Sequence, residues 1–315
     1  MARLELPEYL KKLHGWTKCS SEQLLDLFGL ARSTYFGWFD DGGELIPPKG
    51  RVHKHSKKVL DEEVKAVIAY RQLHRDIGYR KLTWQMIDEN LVYLSESAVY
   101  EILKSHNMLG WSSGYGPPAE KEYKNKPKYP HHHWHTDLAY IKINGVFYFL
   151  IMMLDGYSRF LLGWDLLTDM NGKSVEDFVQ RIREKYPDRK PMLIHDNGSQ
   201  FISNDFKKLV AHINVQSVRT RRNHPETNGK IERLNGIVKN EAIRPLSPQS
   251  YQEAWDILNE YQYQYNYQRL HSGINFLRPA DIYFGRRETI LQERNEKIKS
   301  ARKKRIEINK SNAMH

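Results

Sequence analysis

The chain has 315 residues, of which 40% are hydrophobic and 28% charged, and it carries a net charge of +11 at pH 7. This composition suits two or three globular domains rather than a disordered chain, and no apolar run approaches the ~18 residues of a membrane span. The single cysteine, Cys19, excludes a disulfide framework and a cysteine-rich zinc site. The positive charge favours a polyanionic partner, although ribosomal proteins and membrane-surface binders share this property.

The first predicted elements are two short helices within residues 17–39. Gly29 breaks the first helix, and Ser33 caps or opens the second, which also contains Arg32. This outline predicts a helix-turn-helix domain over residues 1–46, whose second helix would lie in a DNA major groove. An ordinary helical hairpin is the alternative. The N-terminus lacks the apolar segment of a secretory signal, so we expect the protein to remain in the cytoplasm.

A second helical unit is predicted over residues 59–110, between a basic linker at 47–58 and a Gly-, Pro- and Lys-rich linker at 111–130. Apolar periodicity indicates three short helices, with a helix stop at Gly78 and an N-cap at Ser95. Basic side chains at the junction of the first two helices suit a DNA-binding unit, although packing alone explains the apolar positions. These basic residues are Arg80 and Lys81.

Residues 131–245 change to a pattern of strands and helices. The runs WHTDLAYIKI and VFYFLIMMLD flank Asn144-Gly145, which is a strong hairpin signal because both turn residues tolerate positive φ. Three further strands, FLLGWDL, MLIH and VQSVRT, alternate with helices. The order βββαβαβα predicts an α/β fold, a mixed five-stranded sheet with flanking helices, as in an RNase H-like core.

Beyond this core we predict a C-terminal helical extension over residues 246–285 and a basic tail over 286–315. The extension contains a Tyr- and Gln-rich helix, Tyr251–Tyr267, which is either a contact surface or packed on the core. A loop is expected from this helix to Gly285. The tail is a solvated helix, a disordered end or a non-specific phosphate-binding segment.

Three acidic residues stand where catalytic carboxylates are expected. Asp137 lies inside the first strand among apolar residues, Asp196 ends the fourth strand, and Glu232 lies in the first turn of the next helix. Mg²⁺ and Mn²⁺ prefer such oxygen ligands. Two ions ~3.5–4 Å apart can stabilise both the attacking and the departing oxygen of an in-line phosphodiester displacement.

The helix that carries Glu232 adds a basic residue on the same face. Asn235, Gly236 and Lys239 follow Glu232 at helical spacing, so Lys239 would meet the DNA backbone beside the acid. A solvent-facing lysine is the alternative. The pair Asn228-Gly229 supplies a cap and a close approach at the start of this helix.

The blocks WHTDLAYI, HDNGSQF and HPETNGKIERLNGIVKNE resemble the three catalytic blocks of retroviral integrases and DDE-class transposases. Together with GYRKLTWQMI and YNYQRLHSGINFLRPADIY, they look most like the catalytic proteins of the insertion-sequence-three family. The resemblance covers roughly residues 20–285. It implies that Asp137, Asp196 and Glu232 bind two Mg²⁺ or Mn²⁺ ions, and that Lys239 is the family's basic position.

The resemblance further implies cleavage at mobile-element ends by water, followed by attack of the freed 3′-hydroxyl on another phosphodiester. Its expected partners are the terminal repeats and target DNA, a second copy of the chain, and a protein from an upstream reading frame, all at the bacterial nucleoid. The expected DNA-contact residues are Lys239, Asn228, Arg233, Asn235, Arg32, Arg80 and Lys81.

Two alternatives to a recombinase stay open: a DNA-binding regulator derived from a transposase, and a structure-selective nuclease on the same core.

A histidine cluster also needs an interpretation. Adjacent histidines in a strand point to alternate sides and cannot all converge on one ion, so we interpret the cluster as a polar lead-in to the strand rather than a zinc site. Its members are His131, His132, His133 and His135.

Overall fold

The computed structural model describes residues 2–17, 19–39, 43–44, 58–109, 126–220 and 229–312. The chain divides into two compact units, residues 1–58 with 304–315, and residues 59–303. This division is coarser than the seven segments predicted from the sequence, and the finer boundaries remain a proposal. None of the helices in the described ranges is long and apolar enough to cross a membrane.

The described residues at the N-terminal end of the first unit form α1 (Ala2–Trp16), α2 (Ser21–Leu27) and α3 (Arg32–Phe36). Only α2 and α3 are foreseen by the sequence pattern. Gly29 follows α2 with a φ of +62°, which confirms it as the break between the two helices. The N-cap of α3 is Ala31, so the prediction that Ser33 caps this helix is wrong.

The second unit begins with the predicted three-helix region, α4 (Asp61–Leu73), α5 (Tyr79–Asp88) and α6 (Glu96–Ser105). Ser95 caps α6, as expected, by accepting a hydrogen bond from the backbone N–H of Ala98 at 3.3 Å. Gly78 is the N-cap of α5 rather than the stop of α4, which ends at Leu73. The apolar faces of the three helices form a common core, which includes Val67, Leu82, Met86, Val99 and Leu103.

A five-stranded sheet forms the centre of the second unit, with the strand order β3-β2-β1-β4-β5. The strands are β1 (His133–Ile143), β2 (Val146–Asp155), β3 (Leu161–Leu167), β4 (Met192–His195) and β5 (Gln216–Arg219). The first three are antiparallel neighbours, whereas β4 and β5 run parallel to β1. Asn144 and Gly145 form the predicted hairpin turn with φ angles of 44° and 84°. The mixed, RNase H-like sheet is thus confirmed.

Helices cover both faces of this sheet because side chains alternate along each strand. The face that carries Trp134 and Met153 packs against α7 (Gly172–Lys185), α8 (Ser199–Ile202) and α9 (Asn204–His212). The opposite face carries Ile141, Leu150 and Met152, and it packs against two other helices. These helices are α10 (Gly229–Val238) and α12 (Tyr251–Tyr267).

Helix α12 packs on the core and covers the edge of β3, which would otherwise be open to solvent. Asn266 accepts a hydrogen bond from the N–H of Leu161 at 2.8 Å and donates one to its carbonyl oxygen at 3.0 Å. The hydroxyl of Tyr251 donates to the carbonyl oxygen of Leu166 at 2.9 Å. An edge strand otherwise presents unpaired backbone groups. The structure therefore shows core packing for part of this helix, including Asn266 and Tyr265, while Tyr263 and Tyr267 stay exposed.

The C-terminal region contains more helix than the sequence pattern indicates. A π turn (Lys239–Ile243) and α11 (Arg244–Leu246) lead into α12. The segment predicted as a loop contains a 3₁₀ turn (Ser272–Ile274) and α13 (Pro279–Tyr283). Of the alternatives for the basic tail, the structure shows a helix, α14 (Arg287–Ser311).

Candidate active site

Asp137 lies in the middle of β1 on the face that packs against α10. Its neighbours two and four residues on, Ala139 and Ile141, are buried on this same face, and Asp137 itself is half-buried. The side-chain amide of Asn235 on α10 donates a hydrogen bond to Asp137 Oδ2 at 2.9 Å. The strand and the helix therefore fix the carboxylate from two sides.

Asp196 reaches the same region because β4 runs parallel to β1. His135 pairs with Ile194, so the chain leaves the sheet two residues later, at the level of Asp137. Asp196 Oδ1 accepts a hydrogen bond from the N–H of Gly198 at 3.0 Å. The ring of His195 donates through Nδ1 to the Asp196 carbonyl oxygen at 2.7 Å, while Nε2 contacts Ser217 Oγ on β5 at 2.8 Å. These contacts hold the turn that carries the acid.

Glu232 is the third acid, exposed in the first turn of α10. Burial first, and then the negative charges of Asp196 and Glu232, raise the pKa of Asp137 to about 6, although hydrogen bonds from Leu138 and Asn235 act in the opposite direction. The structure thus brings together three carboxylates from distant parts of the chain. Their mutual repulsion marks a place where a cation is favourable.

The residues fit a hard divalent cation by donor type and by charge, because Mg²⁺ and Mn²⁺ take carboxylate oxygens. In the conformation described here, however, and within the described parts of the chain, no three His, Cys, Asp or Glu side chains are grouped closely enough to hold an ion. The three acids interact through their charges, but their oxygen atoms are not yet close enough together to bind one ion. Binding an ion would require their side chains to approach one another.

The predicted DNA-contact residues near the acids differ in their surroundings. Asn235 is 8% exposed, and its amide is engaged with Asp137. Arg233 is exposed, and Lys239 lies half-buried at the start of the π turn. Asn228 lies outside the described residues. As contacts to DNA, all four remain predictions.

The other predicted contact residues lie on helices outside the sheet. Arg80 on α5 is 62% exposed and lies 3.4 Å from Glu96. Lys81 is half-buried, and burial together with the charge of Arg269 lowers its pKa. In the other unit, the exposed Arg32 lies 3.5 Å from Glu22. The structure therefore gives Lys81 a protein environment that the sequence did not indicate.

The interpretation of the histidine cluster as a polar lead-in is wrong in one respect, because three of its members are buried. His131 accepts a hydrogen bond from Trp134 Nε1 at 3.1 Å and donates to the Tyr283 hydroxyl at 2.6 Å. His133 and His135 share one side of β1, and a Cβ on Gly156 would lie 2.7 Å from His135 Nε2. A glycine therefore leaves the room that these rings need.

Two of these buried rings, His131 and His133, are neutral at pH 7. Burial lowers the pKa of His131 to about 4, and the charge of Arg189 adds to this. The pKa of His133 also falls to about 4, through burial and the charges of His132 and Lys230.

Sequence reasoning missed Lys230, the second residue of α10, two residues before Glu232. Its Nζ donates to the carbonyl oxygen of Gly156 at 3.2 Å and so ties α10 to the turn after β2. It also missed the pair Glu241 and Arg269. The available signal was that both residues fall inside blocks that carry the resemblance, Glu241 at the end of HPETNGKIERLNGIVKNE and Arg269 in YNYQRLHSGINFLRPADIY.

Two family models match the centre of the chain. An integrase core domain matches residues 127–225, and a second integrase core model matches residues 213–279. This part of the chain is therefore similar to integrase core domains, and insertion-sequence transposases are among its relatives.

Among its relatives, the transposase of insertion sequence IS904 of Lactococcus lactis is 28% identical over 156 residues, which cover 49% of this chain and 61% of that transposase. The match thus spans about three fifths of the IS904 protein. The 31 kDa protein of insertion element IS600 of Shigella sonnei is 23% identical over 274 residues, 82% of this chain and 96% of that protein. The HTLV-2 integrase catalytic core, solved in complex with magnesium, is 20% identical, with a TM-score of 0.41 over 50% of this chain and 99% of that one.

Proposed function

We propose that this protein is a transposase that cleaves DNA at the ends of a mobile element and joins the freed 3′-hydroxyl to another phosphodiester. One observation carries the proposal. Asp137, Asp196 and Glu232 come from a strand, a strand end and a helix, and their charges act together on one carboxyl. The similarity of residues 127–279 to integrase core domains supports the assignment of these three residues as the catalytic acids.

The metal proposed for this site is Mg²⁺ or Mn²⁺, two ions for each active site. Asp137 is the residue that would contribute to both ions, while Asp196 and Glu232 would each contribute to one. When bound, such ions polarise the phosphodiester and stabilise the attacking and departing oxygens. No covalent nucleophile from the protein is required, since water serves in cleavage and the 3′-hydroxyl serves in joining.

The protein's own part is to hold its acids and the DNA in place. Asn235 fixes the orientation of Asp137, and the N–H of Gly198 fixes that of Asp196. Arg233 and Lys239 stand on the catalytic helix where phosphate contacts are proposed. Holding the reacting groups in order accounts for much of the rate in such reactions.

The proposed partners follow from the same assignment. The net charge of +11 supports binding of DNA, both the terminal repeats of the element and the target. Because two DNA ends must be held together, we propose that the chain works as a homo-oligomer on DNA. A protein from an upstream reading frame is a further proposed partner, and the bacterial nucleoid is the proposed location.

The test uses duplexes made from the DNA that flanks this coding sequence, with Mg²⁺ or Mn²⁺. The wild-type protein is expected to nick the ends and to join them to a target duplex. The Asp196→Asn protein should bind the same duplexes and do neither. Joining at the wild-type level by Asp196→Asn would overturn the proposal. Products of cutting alone would support the nuclease alternative, and binding without products would support the regulator.

A further inference from the structure

The catalytic helix does not end as a regular α-helix. At Val238 it continues into the π turn, Lys239–Ile243, where hydrogen bonds run from residue i to i+5. Such turns are rare and often lie at functional sites. Ala242 and Ile243 in this turn are buried against α12, so this end of the helix is anchored in the core. The extra residue changes which side of the helix the following side chains occupy.

Glu241 occupies the middle of the π turn and is held by hydrogen bonds from two other residues. Arg269, just beyond α12, donates from Nε to Oε2 at 2.7 Å and from Nη2 to Oε1 at 2.6 Å. Tyr261 on α12 donates its hydroxyl to Oε2 at 2.7 Å. Two parallel bonds from one guanidinium fix both the direction and the position of a carboxylate.

The electrostatics of Glu241 agree with these contacts. Burial opposes its ionisation, but the hydrogen bonds and charges of Arg269, Tyr261 and Lys81 outweigh burial and hold the pKa of Glu241 below its usual value. The charge of Lys81 on α5 also acts on this carboxylate. The contacts of Glu241 thus join the end of the catalytic helix to α12 and to Arg269 just beyond it.

We propose that Glu241 and Arg269 are positioning residues that set the rotation of α10, and hence the positions of Glu232 and Asn235 relative to Asp137. This inference rests on the proposed function. Without the hydrogen-bonded pair of Glu241 and Arg269, the π turn would be free to become a regular α-helix. Because Ala242 and Ile243 are anchored, the adjustment would rotate α10 by up to about 100°, the angle of one residue in an α-helix. Even a small part of that rotation would strain the 2.9 Å bond from Asn235 to Asp137.

The test is a double-mutant cycle in the full chain, with Glu241→Gln, Arg269→Gln and the double variant. The substrate is a pre-cut end duplex, and the single-turnover joining rate, the DNA affinity and the melting temperature are measured. Each single variant should lose about 10- to 100-fold in rate, as expected for slightly misplaced reacting groups, with unchanged DNA affinity. The loss of joining rate in the double variant should be far smaller than the product of the two single losses, because both substitutions remove the same interaction between Glu241 and Arg269.

Asp165→Asn is the matched control. Asp165 on β3 pairs with Arg181 on α7, so its loss removes a carboxylate–arginine pair of the same core without touching the catalytic helix. It should lower the melting temperature while leaving the joining rate at the wild-type value. Tyr261→Phe removes one hydrogen bond from Glu241 at nearly constant volume and should give a smaller rate loss than Glu241→Gln. This variant keeps the test informative if Glu241→Gln fails to fold.

Rate losses that multiply in the double variant, or that simply follow the melting temperature as in Asp165→Asn, would overturn the inference. A full joining rate in Glu241→Gln would also overturn it, while leaving the proposed function intact provided Asp196→Asn is inactive. An Asp196→Asn protein that joins DNA ends at the wild-type level would instead contradict the proposed function itself.

Discussion

Two glutamates on one helical segment, Glu232 and Glu241, have opposite electrostatic surroundings. The charge of Glu232 acts on Asp137 together with that of Asp196, and these charges add to burial in raising the pKa of Asp137. Glu241 accepts hydrogen bonds from Arg269 and Tyr261 and interacts with the charge of Lys81, and these interactions lower its pKa although burial opposes them. The first region has a surplus of negative charge that an external cation can relieve, whereas the second is already neutralised by the protein. This difference agrees with the proposed roles, a metal-binding acid at Glu232 and a positioning residue at Glu241.

The largest expected effect is a difference in reaction rate between two variants, Glu232→Gln and Glu241→Gln. Glu232→Gln should reduce cleavage and joining by roughly a thousandfold or more, since a lost metal ligand removes several kcal/mol of charge stabilisation and each 1.36 kcal/mol is tenfold in rate. Glu241→Gln should remain measurably active. Rates from single-turnover assays at saturating DNA check this order, and equal losses at the two positions would remove the distinction.

Asn235 tests the contact that joins the catalytic helix to the central acid. Asn235→Ala should lower the joining rate about 10- to 100-fold, as is typical when a partner that orients a metal ligand is removed. Asn240→Ala, at an exposed asparagine of the π turn that contacts Arg244, is the control and should keep the wild-type rate. A wild-type rate in Asn235→Ala would mean that Asp137 is oriented by other means.

The surplus charge also predicts a pH dependence of stability. The folded-state pKa of Asp137 is raised from 3.8 to about 6. The protonated carboxyl is therefore favoured in the folded protein, and this contribution is complete below pH 3.8 and is lost as the pH rises through about 6. Metal-free Asp137→Asn should gain stability relative to the wild type between pH 4 and pH 8, by about 3 kcal/mol at most.

Chemical unfolding at several pH values measures this difference. Mg²⁺ added at pH 8 should raise the melting temperature of the wild type and leave that of Asp137→Asn nearly unchanged. A pH-independent difference between the two proteins would show that the acids do not repel one another.

The smallest effect concerns the basic residues of α5. Arg80→Gln should weaken DNA binding modestly and reduce the slope of log K against log salt by about 0.9, the contribution of one phosphate contact. Because Lys81 is half-buried and interacts with the charges of Arg269 and Glu241, Lys81→Gln should change the slope less. An equal change for both would show that DNA draws Lys81 away from Glu241. Fluorescence anisotropy at several salt concentrations provides the measurement.

The elements that could be predicted are those with a local signal. The hairpin at Asn144-Gly145, the five strands and the cap at Ser95 follow from turn chemistry and periodicity over a few residues. Helix α1, the π turn and helix α13 were missed, and Gly78 was misassigned. These features depend on packing partners that are distant in sequence, such as the contact of Ala242 and Ile243 with α12.

The sequence by itself determined the α/β order, the basic character and the three acids, because strand period, charge and residue type are local properties of the chain. The tertiary structure alone decided that Asn235 would bond to Asp137, that Glu241 would be neutralised while Glu232 would not, and that the histidines of β1 would be buried. Each of these outcomes depends on which side chains of remote segments meet. Burial and charge pairing are set by those meetings rather than by position along the chain.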